Sequence, residues 1–201
     1  MAEVRDTRDC SNAPSECPLR SEGVSDFSQA REGLVQCRVF FSSEGAPART
    51  AMPQSFSCLH THIVFSTKHR QRFLTPDLTE RLHPYLGGLA RNRKCDSVRI
   101  GGVEDHVHLL VRLARDVAVS EFVGAVKSVS SGWIHDEFPD RPTFAWQQGY
   151  AAFAVSLSGV EAVAAYIGAQ AEHHRRKTFQ EELLEFLGVH GIASDERYMW
   201  D

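Results

Sequence analysis

The chain has 201 residues, 42% of them hydrophobic and 24% charged, which suits one core-bearing domain with a tail. Five cysteines (Cys10, Cys17, Cys37, Cys58 and Cys95), an odd number without C-x-x-C spacing, exclude a disulfide framework and a cysteine zinc site. The net charge of −4 excludes a generally basic, nucleic-acid-coating surface, so any such partner must be held by local clusters.

In chain order, residues 1–51 mix scattered charge with proline, serine and glycine and show no sustained period. They are expected to be a disordered or mis-assigned N-terminal extension, with one domain over 52–201. The two parts carry 6 basic and 8 acidic, then 16 basic and 18 acidic residues, a net −2 each, so the tail does not set the balance. No signal-peptide order opens the chain and no apolar run reaches membrane length, so a cytoplasmic protein with no membrane partner is expected.

Residues 56–66 read as a first strand. Residues 76–93 read as a helix with Thr75 as N-cap, Pro76 in the first helical position and Leu78, Leu82, Leu86 and Leu89 as its stripe; Pro84 and Gly87-Gly88 are possible kink points. Residues 97–103 and 105–113 are two tightly joined, hence antiparallel, strands. Residues 120–136 predict a second helix with Phe122, Val126, Val129, Trp133 and Ile134 on its buried side. A strand over 150–155 follows Pro139 and Pro142. A helix over 159–175 starts on a Ser158/Glu161 capping box and carries Val160, Val163, Ala164, Ile167 and Ala171 as its stripe. A last helix over 178–187 precedes an extended, aromatic-bearing tail. This order gives an α+β fold: a ferredoxin-like split βαβ arrangement, its antiparallel sheet covered by helices on one face and open to ligands on the other.

Two constellations carry chemistry. His106 and His108 alternate with Val107 and Leu109, so on a strand both imidazoles project from one side, a half-built divalent-metal site; the same spacing also fits ordinary half-buried strand histidines. On the late helix Tyr166 and Gln170 are four residues apart and share a face, as a nucleophilic phenol and an amide oxygen that completes the site; alternatively Tyr166 is a surface tyrosine. His60 and His62 face together without being assigned as ligands. Glu104 and Asp105 are either supports for an imidazole or plain turn residues, and His173 and His174, three and four residues after Gln170, either approach the metal or are surface histidines on a basic helix end, the reading preferred. Lys68, Arg70 and Arg72 in KHRQR, Lys127, and Arg175 and Arg176 in HHRRK are candidate phosphate contacts, the alternative for each being solvated surface charge.

H-hydrophobe-H on a strand followed by Y-x-x-x-Q on a later helix resembles the HUH single-tyrosine transposases of the smallest bacterial insertion sequences, the insertion sequence 200/605 family. The likeness extends over 52–201 through MPQSFSCLHTHIVFSTKHR, RIGGVEDHVHLL, FAWQQGYAAFAVS, AEHHRRKTFQEE and DERYMWD. The resemblance implies a transposase that cleaves and rejoins hairpin-ended single-stranded DNA. Tyr166 would form a 5′-phosphotyrosine, and Mg2+ or Mn2+ would be held by His106, His108 and Gln170. It further implies a homodimer in which one subunit's Tyr166 can serve the other's histidine pair. Two other readings stay open: a domesticated hairpin-specific single-strand endonuclease, and a non-catalytic single-strand-binding module.

Overall fold

The computed structural model describes residues 56–195 and 199–200. The extension expected over 1–51 lies outside the described residues. Four strands, β1 (Leu59–Ser66), β2 (Asp96–Val103), β3 (His106–Leu113) and β4 (Ala151–Val155), form one sheet in the order β2-β3-β1-β4, every pair antiparallel. With α1 (Pro76–Asn92) between β1 and β2 and α2 (Val119–Glu137) between β3 and β4, this is the ferredoxin-like arrangement expected from the element order.

The first face of the sheet holds the main core. Ile63, Phe65, Val107, Leu109 and Val111 pack against Leu78, Leu82 and Leu86 of α1 and against Phe122, Val126 and Ile134 of α2. Each such side chain contributes about 1.5–3 kcal/mol by leaving water. Pro84 and the Gly87-Gly88 pair do not split α1, which runs unbroken with Thr75 as its N-cap. On α2 the expected Val129 is exposed and Trp133 only half-buried, stacked on Tyr85 with ring centroids 4.4 Å apart. The buried position goes instead to Ser130, whose hydroxyl donates to the Val126 carbonyl at 2.6 Å and accepts from Trp146 Nε1 at 3.0 Å. A polar residue satisfied twice in this way enters a core at little cost.

Between β2 and β3 the chain turns at Glu104 and Asp105. Gly102 adopts φ 154°, and a Cβ there would collide with the His106 carbonyl, so the turn that leads into the histidine strand requires glycine.

The second face departs from expectation. Three later helices lie in this half of the chain: α3 (Val160–Gly168), α4 (Gln170–His173) and α5 (Phe179–Val189). α3 packs on β2 and β3, while Phe179 and Leu183 of α5 cluster with Val64 and Phe153 of the sheet. The face expected to be open is therefore covered by the chain's own apolar helix stripes, and His106 and His108 are both 0% exposed.

The single helix expected over 159–175 is also broken. A short turn at Leu157–Gly159 precedes α3, and Ala169, at φ −99° and ψ 10°, separates α3 from α4. The Ala169 N–H is shared between the carbonyls of Ala165 and Tyr166, the tightening common at a helix end. Of the expected stripe only Ile167 is fully buried, and Ala171 is exposed. The Ser158/Glu161 capping box does not form, since Ser158 Oγ pairs with Ser156 Oγ at 3.1 Å. One forms instead at Thr178 and Glu181, fixing the start of α5. Beyond α5, Met199 and Trp200 join the second cluster, with Trp200 5.6 Å from the Arg70 guanidinium. Among the described residues no helix is long and apolar enough to cross a membrane.

Candidate active site and metal centre

His106 and His108 leave β3 on the covered face, level in register with Ser66 and Val64 of β1. Each ring is held through Nδ1. His106 Nδ1–H donates to Asp105 Oδ1 at 2.6 Å, and His108 Nδ1 is hydrogen-bonded to His62 Nε2 at 2.9 Å. A third imidazole, His174, donates Nδ1–H to the Lys177 carbonyl at 2.7 Å. All three rings thus present Nε2 to one another, the arrangement by which outer partners orient metal-binding histidines.

Glu182 of α5 enters this space with one carboxylate oxygen. Its Oε2 lies 3.4 Å from His108 Nε2, 3.4 Å from His174 Nε2 and 3.6 Å from His106 Nε2. The four groups offer ligand atoms that all fall within 4.8 Å of one another. His106, His108 and His174 Nε2, Glu182 Oε2 and the Gln170 amide oxygen are all buried without a hydrogen-bond partner. An unmatched buried polar atom costs about 1–3 kcal/mol, so five orphans in one site would cost several kcal/mol with nothing between them. The donor set fits a divalent cation.

The other oxygen of Glu182 serves a different group. Its Oε1 accepts from the Tyr166 hydroxyl and, at 3.0 Å, from Gln170 Nε2. Tyr166 Oη also lies 3.2 Å from His173 Nε2. Tyr166 and Gln170 therefore converge on one carboxylate oxygen despite the break between their helices. Burial and the hydrogen bond to Glu182 push the phenol pKa above its ordinary value. Burial opposes the charge on Glu182, but His108 and His174 beside it outweigh that and hold its carboxyl well below the usual range.

Burial lowers His62 to about 3 and His108 to about 4, with the neighbouring imidazoles adding to the effect. Both rings are thus neutral at pH 7, as metal ligation requires. In metal-free protein the unfolded chain takes up protons on these rings from about pH 6.5 downward, while the folded chain resists until about 4 and 3. Their stabilisation is complete above pH 6.5 and is lost as pH falls through 4. His174, whose pKa is raised by Glu182 against the opposing pull of burial, runs the other way and loses its contribution as pH rises. The melting temperature of chelator-treated protein is expected to drop between pH 6.5 and 4, and His62→Gln should flatten that slope. A profile unchanged by His62→Gln would contradict the assignment.

The histidine strand and the helix of Tyr166 both fall within a match to a known family. Residues 55–170 match the family described as Transposase IS200 like. The chain belongs to the IS200-like transposase family. It is similar to the ISDra2 transposase TnpA of Deinococcus radiodurans, 25% identical over 88 residues, which cover 44% of this chain and 63% of that protein, less than two thirds of its length. Among solved structures, a candidate transposase of Deinococcus radiodurans R1 superposes with a TM-score of 0.49 at 23% identity, covering 63% of this chain and 98% of that one. A REP-associated tyrosine transposase bound to a REP hairpin gives 0.47 at 14% identity, covering 63% of this chain and 74% of its own.

Within this family member, the structure brings His106, His108, Tyr166 and Gln170 to one place. It adds two residues, one considered and set aside in the sequence reading and one not considered there. His174, for which the surface reading was preferred over an approach to the metal, turns into the cluster, and Glu182 joins the imidazole cluster to the phenol. A local clue to Glu182 existed: it sits three residues after Phe179 and one before Leu183, so an acid occupies the apolar stripe of α5. Asp105 and His62 prove to be the groups that orient His106 and His108.

The basic residues part company. Arg72, Arg175 and Arg176 line one groove together with Asp105 and His174, and Arg176 also lines the cleft beside Tyr166 and His173. Arg72 pairs with Glu104 at 3.4 Å and Arg175 with Glu172 at 3.0 Å. Lys68 and Arg70 lie in the short turn after β1, Arg70 against Trp200. Lys127 is placed differently from a phosphate contact. Its ammonium donates to the carbonyls of Gln147, Gln148 and Gly149, the last two at 3.0 and 2.9 Å, so all three N–H bonds are directed at the loop before β4.

Proposed function

We propose that the chain cleaves and rejoins single-stranded DNA at hairpin-flanked ends through a 5′-phosphotyrosine on Tyr166, with a divalent cation held by His106 and His108. His174 and Glu182 are proposed to complete the donor set, with Gln170 as a further donor through its amide oxygen. The reading rests on one observation: Glu182 presents one carboxylate oxygen to three orphaned imidazole nitrogens and the other to the Tyr166 hydroxyl. Nucleophile and charge-binding site thereby share a single group.

A cation bound there would polarise the scissile phosphate and offset its developing negative charge. Asp105, His62 and the Lys177 carbonyl keep the three rings aimed at that point. The Tyr166 hydroxyl is positioned by Glu182 Oε1, and His173 Nε2, 3.2 Å from Oη, is placed to take its proton as Oη bonds to phosphorus. The P–O3′ bond breaks and its electron pair leaves with the 3′ oxygen, which takes up a proton. One phosphodiester replaces another, so rejoining needs no external energy source. Three imidazoles and a carboxylate favour Mn2+ over Mg2+ by ligand softness.

The catalytic unit is proposed to be residues 52–201, acting as a homodimer in the cytoplasm. Its assay is a single-stranded oligonucleotide carrying the hairpins that flank the gene, incubated with Mn2+ or Mg2+ and run on a denaturing gel. A slow protein–DNA adduct that requires metal and vanishes on chelation is expected. Binding without any adduct in any metal would favour the single-strand-binding module instead.

Arg176 is proposed to hold a phosphate beside Tyr166, since it lines both clefts around the cluster, as does Lys177, whose ammonium is instead paired with Glu185. Arg176→Ala is expected to weaken oligonucleotide binding and to reduce the slope of log affinity against log salt by about 0.7, the loss of one phosphate contact on a single strand. An unchanged slope would remove Arg176 from the interface.

A further inference from the structure

α3 carries Tyr166 and packs on β2 and on β3, which carries the histidine pair. Gly101 of β2 pairs in register with His108. A Cβ built on Gly101 would stand 2.6 Å from the Ile167 carbonyl oxygen and 2.9 Å from Ile167 Cγ2, closer than side-chain carbons are found to approach. That oxygen is helix backbone and cannot swing aside, so a side chain at 101 must lift α3 from the sheet. Ile167 is 1% exposed and is the residue next to Tyr166. The neighbouring contact is of another kind: a Cβ on Gly168 would meet the Arg99 guanidinium at 2.9 Å, the far end of a flexible side chain that can move.

We propose that Gly101 is a positioning residue, its missing Cβ setting the depth of the tyrosine helix against the histidine strand and so the reach of Tyr166 to the scissile phosphate. The proposal rests on Tyr166 being the nucleophile. Three of the proposed donors have separate supports: His106 and His108 are held by β3, Asp105 and His62, and Glu182 by α5, whose Phe179 and Leu183 pack with Val64 and Phe153, while Gln170 and His174 follow α3 across the break at Ala169. Lifting α3 should therefore uncouple nucleophile from metal site. A purely structural glycine would not do so, because its loss would weaken everything together.

The test uses the full chain with Gly101→Ala and, crowding the same seam from the helix side, Ile167→Phe. Measured quantities are Mn2+ affinity without DNA, the half-saturating concentration of the hairpin oligonucleotide, and the single-turnover rate of adduct formation. The expected result is a fall in rate of about 100-fold, the usual effect of an ångström-scale misplacement, with oligonucleotide affinity within about 3-fold of wild type and Mn2+ affinity falling far less than the rate, because His106, His108 and Glu182 stay in place. Gly168→Ala should keep the wild-type rate. Adduct formation at the wild-type rate in either folded variant would overturn the proposal. So would a parallel loss of Mn2+ affinity, or failure of both variants to fold, which would assign the seam to general packing. A wild-type chain that forms no adduct would instead remove the nucleophile reading beneath it, an outcome separable from all of these.

Discussion

Tyr166→Phe should abolish the covalent protein–DNA adduct while leaving fold, metal affinity and single-strand binding nearly unchanged. The substitution removes one oxygen and keeps the ring among His108, His173 and Phe186. What it leaves exposed to loss is the hydrogen bond to Glu182, and a buried carboxylate short of one donor costs about 1–3 kcal/mol, a shift visible as a lowered melting temperature. The effect on the reaction is far larger: without the nucleophile the rate should fall by at least about 10^4-fold, roughly 5.5 kcal/mol of barrier. An adduct that survives would move the nucleophile elsewhere, with the exposed Tyr150 first in line. The same variant also asks whose tyrosine acts. In this structure Tyr166 stands beside its own chain's His108, ring centroids 6.2 Å apart. Mixing Tyr166→Phe chains with chains carrying His106→Ala and His108→Ala restores cleavage only if a tyrosine can serve the partner's histidines. No recovery, with exchange between dimers demonstrated, would leave the site within one chain.

Period and spacing alone make much of this cluster legible in the sequence. Alternation through His106, Val107, His108 and Leu109 placed two imidazoles on one face of β3 because strand side chains alternate whatever the tertiary setting. The leucine stripe of α1 was equally local, and Pro84 left it intact. Where the reading failed, distant contacts decided. Val129 and Ser130 compete for one buried position, and only Trp146, sixteen residues on, settles it in favour of the serine. The covered sheet face depends on α5 folding back so that Leu183 meets Val64, more than a hundred residues away. Glu182 escaped for the same reason, since its partners His106 and His108 lie over seventy residues earlier and no local period links them. The break at Ala169 follows Gly168, a weak helix former that marks the place in the sequence, though the apolar period runs on through it.

Removing a histidine should empty the metal site, and removing Glu182 should do so nearly as well. With no DNA present, Mn2+ or Co2+ titrated into wild type is expected to saturate at one ion per chain. His106→Ala and His108→Ala should each lower that affinity by more than about 100-fold, since outer-partner losses alone cost 10–100-fold and these are direct donors. Glu182→Gln keeps the shape and removes the charge. If Oε2 is a ligand, affinity should fall by a similar factor. Were Glu182 only the acceptor for Tyr166 and Gln170, affinity would hold and only the adduct rate would suffer. Gln170→Ala divides the remaining possibilities, because its amide nitrogen already contacts Glu182 Oε1 while its buried oxygen has no partner. A loss of about 10-fold or more would place that oxygen on the ion, and no change would leave Gln170 as the group that orients Glu182. His174→Ala, read the same way, tests whether the third imidazole binds or merely neighbours the carboxylate. Affinity untouched by both His106→Ala and His108→Ala would sink the metal centre altogether. The five orphaned atoms would then need another occupant, and an ordered water, which makes only two to four hydrogen bonds, could satisfy most but not all of them.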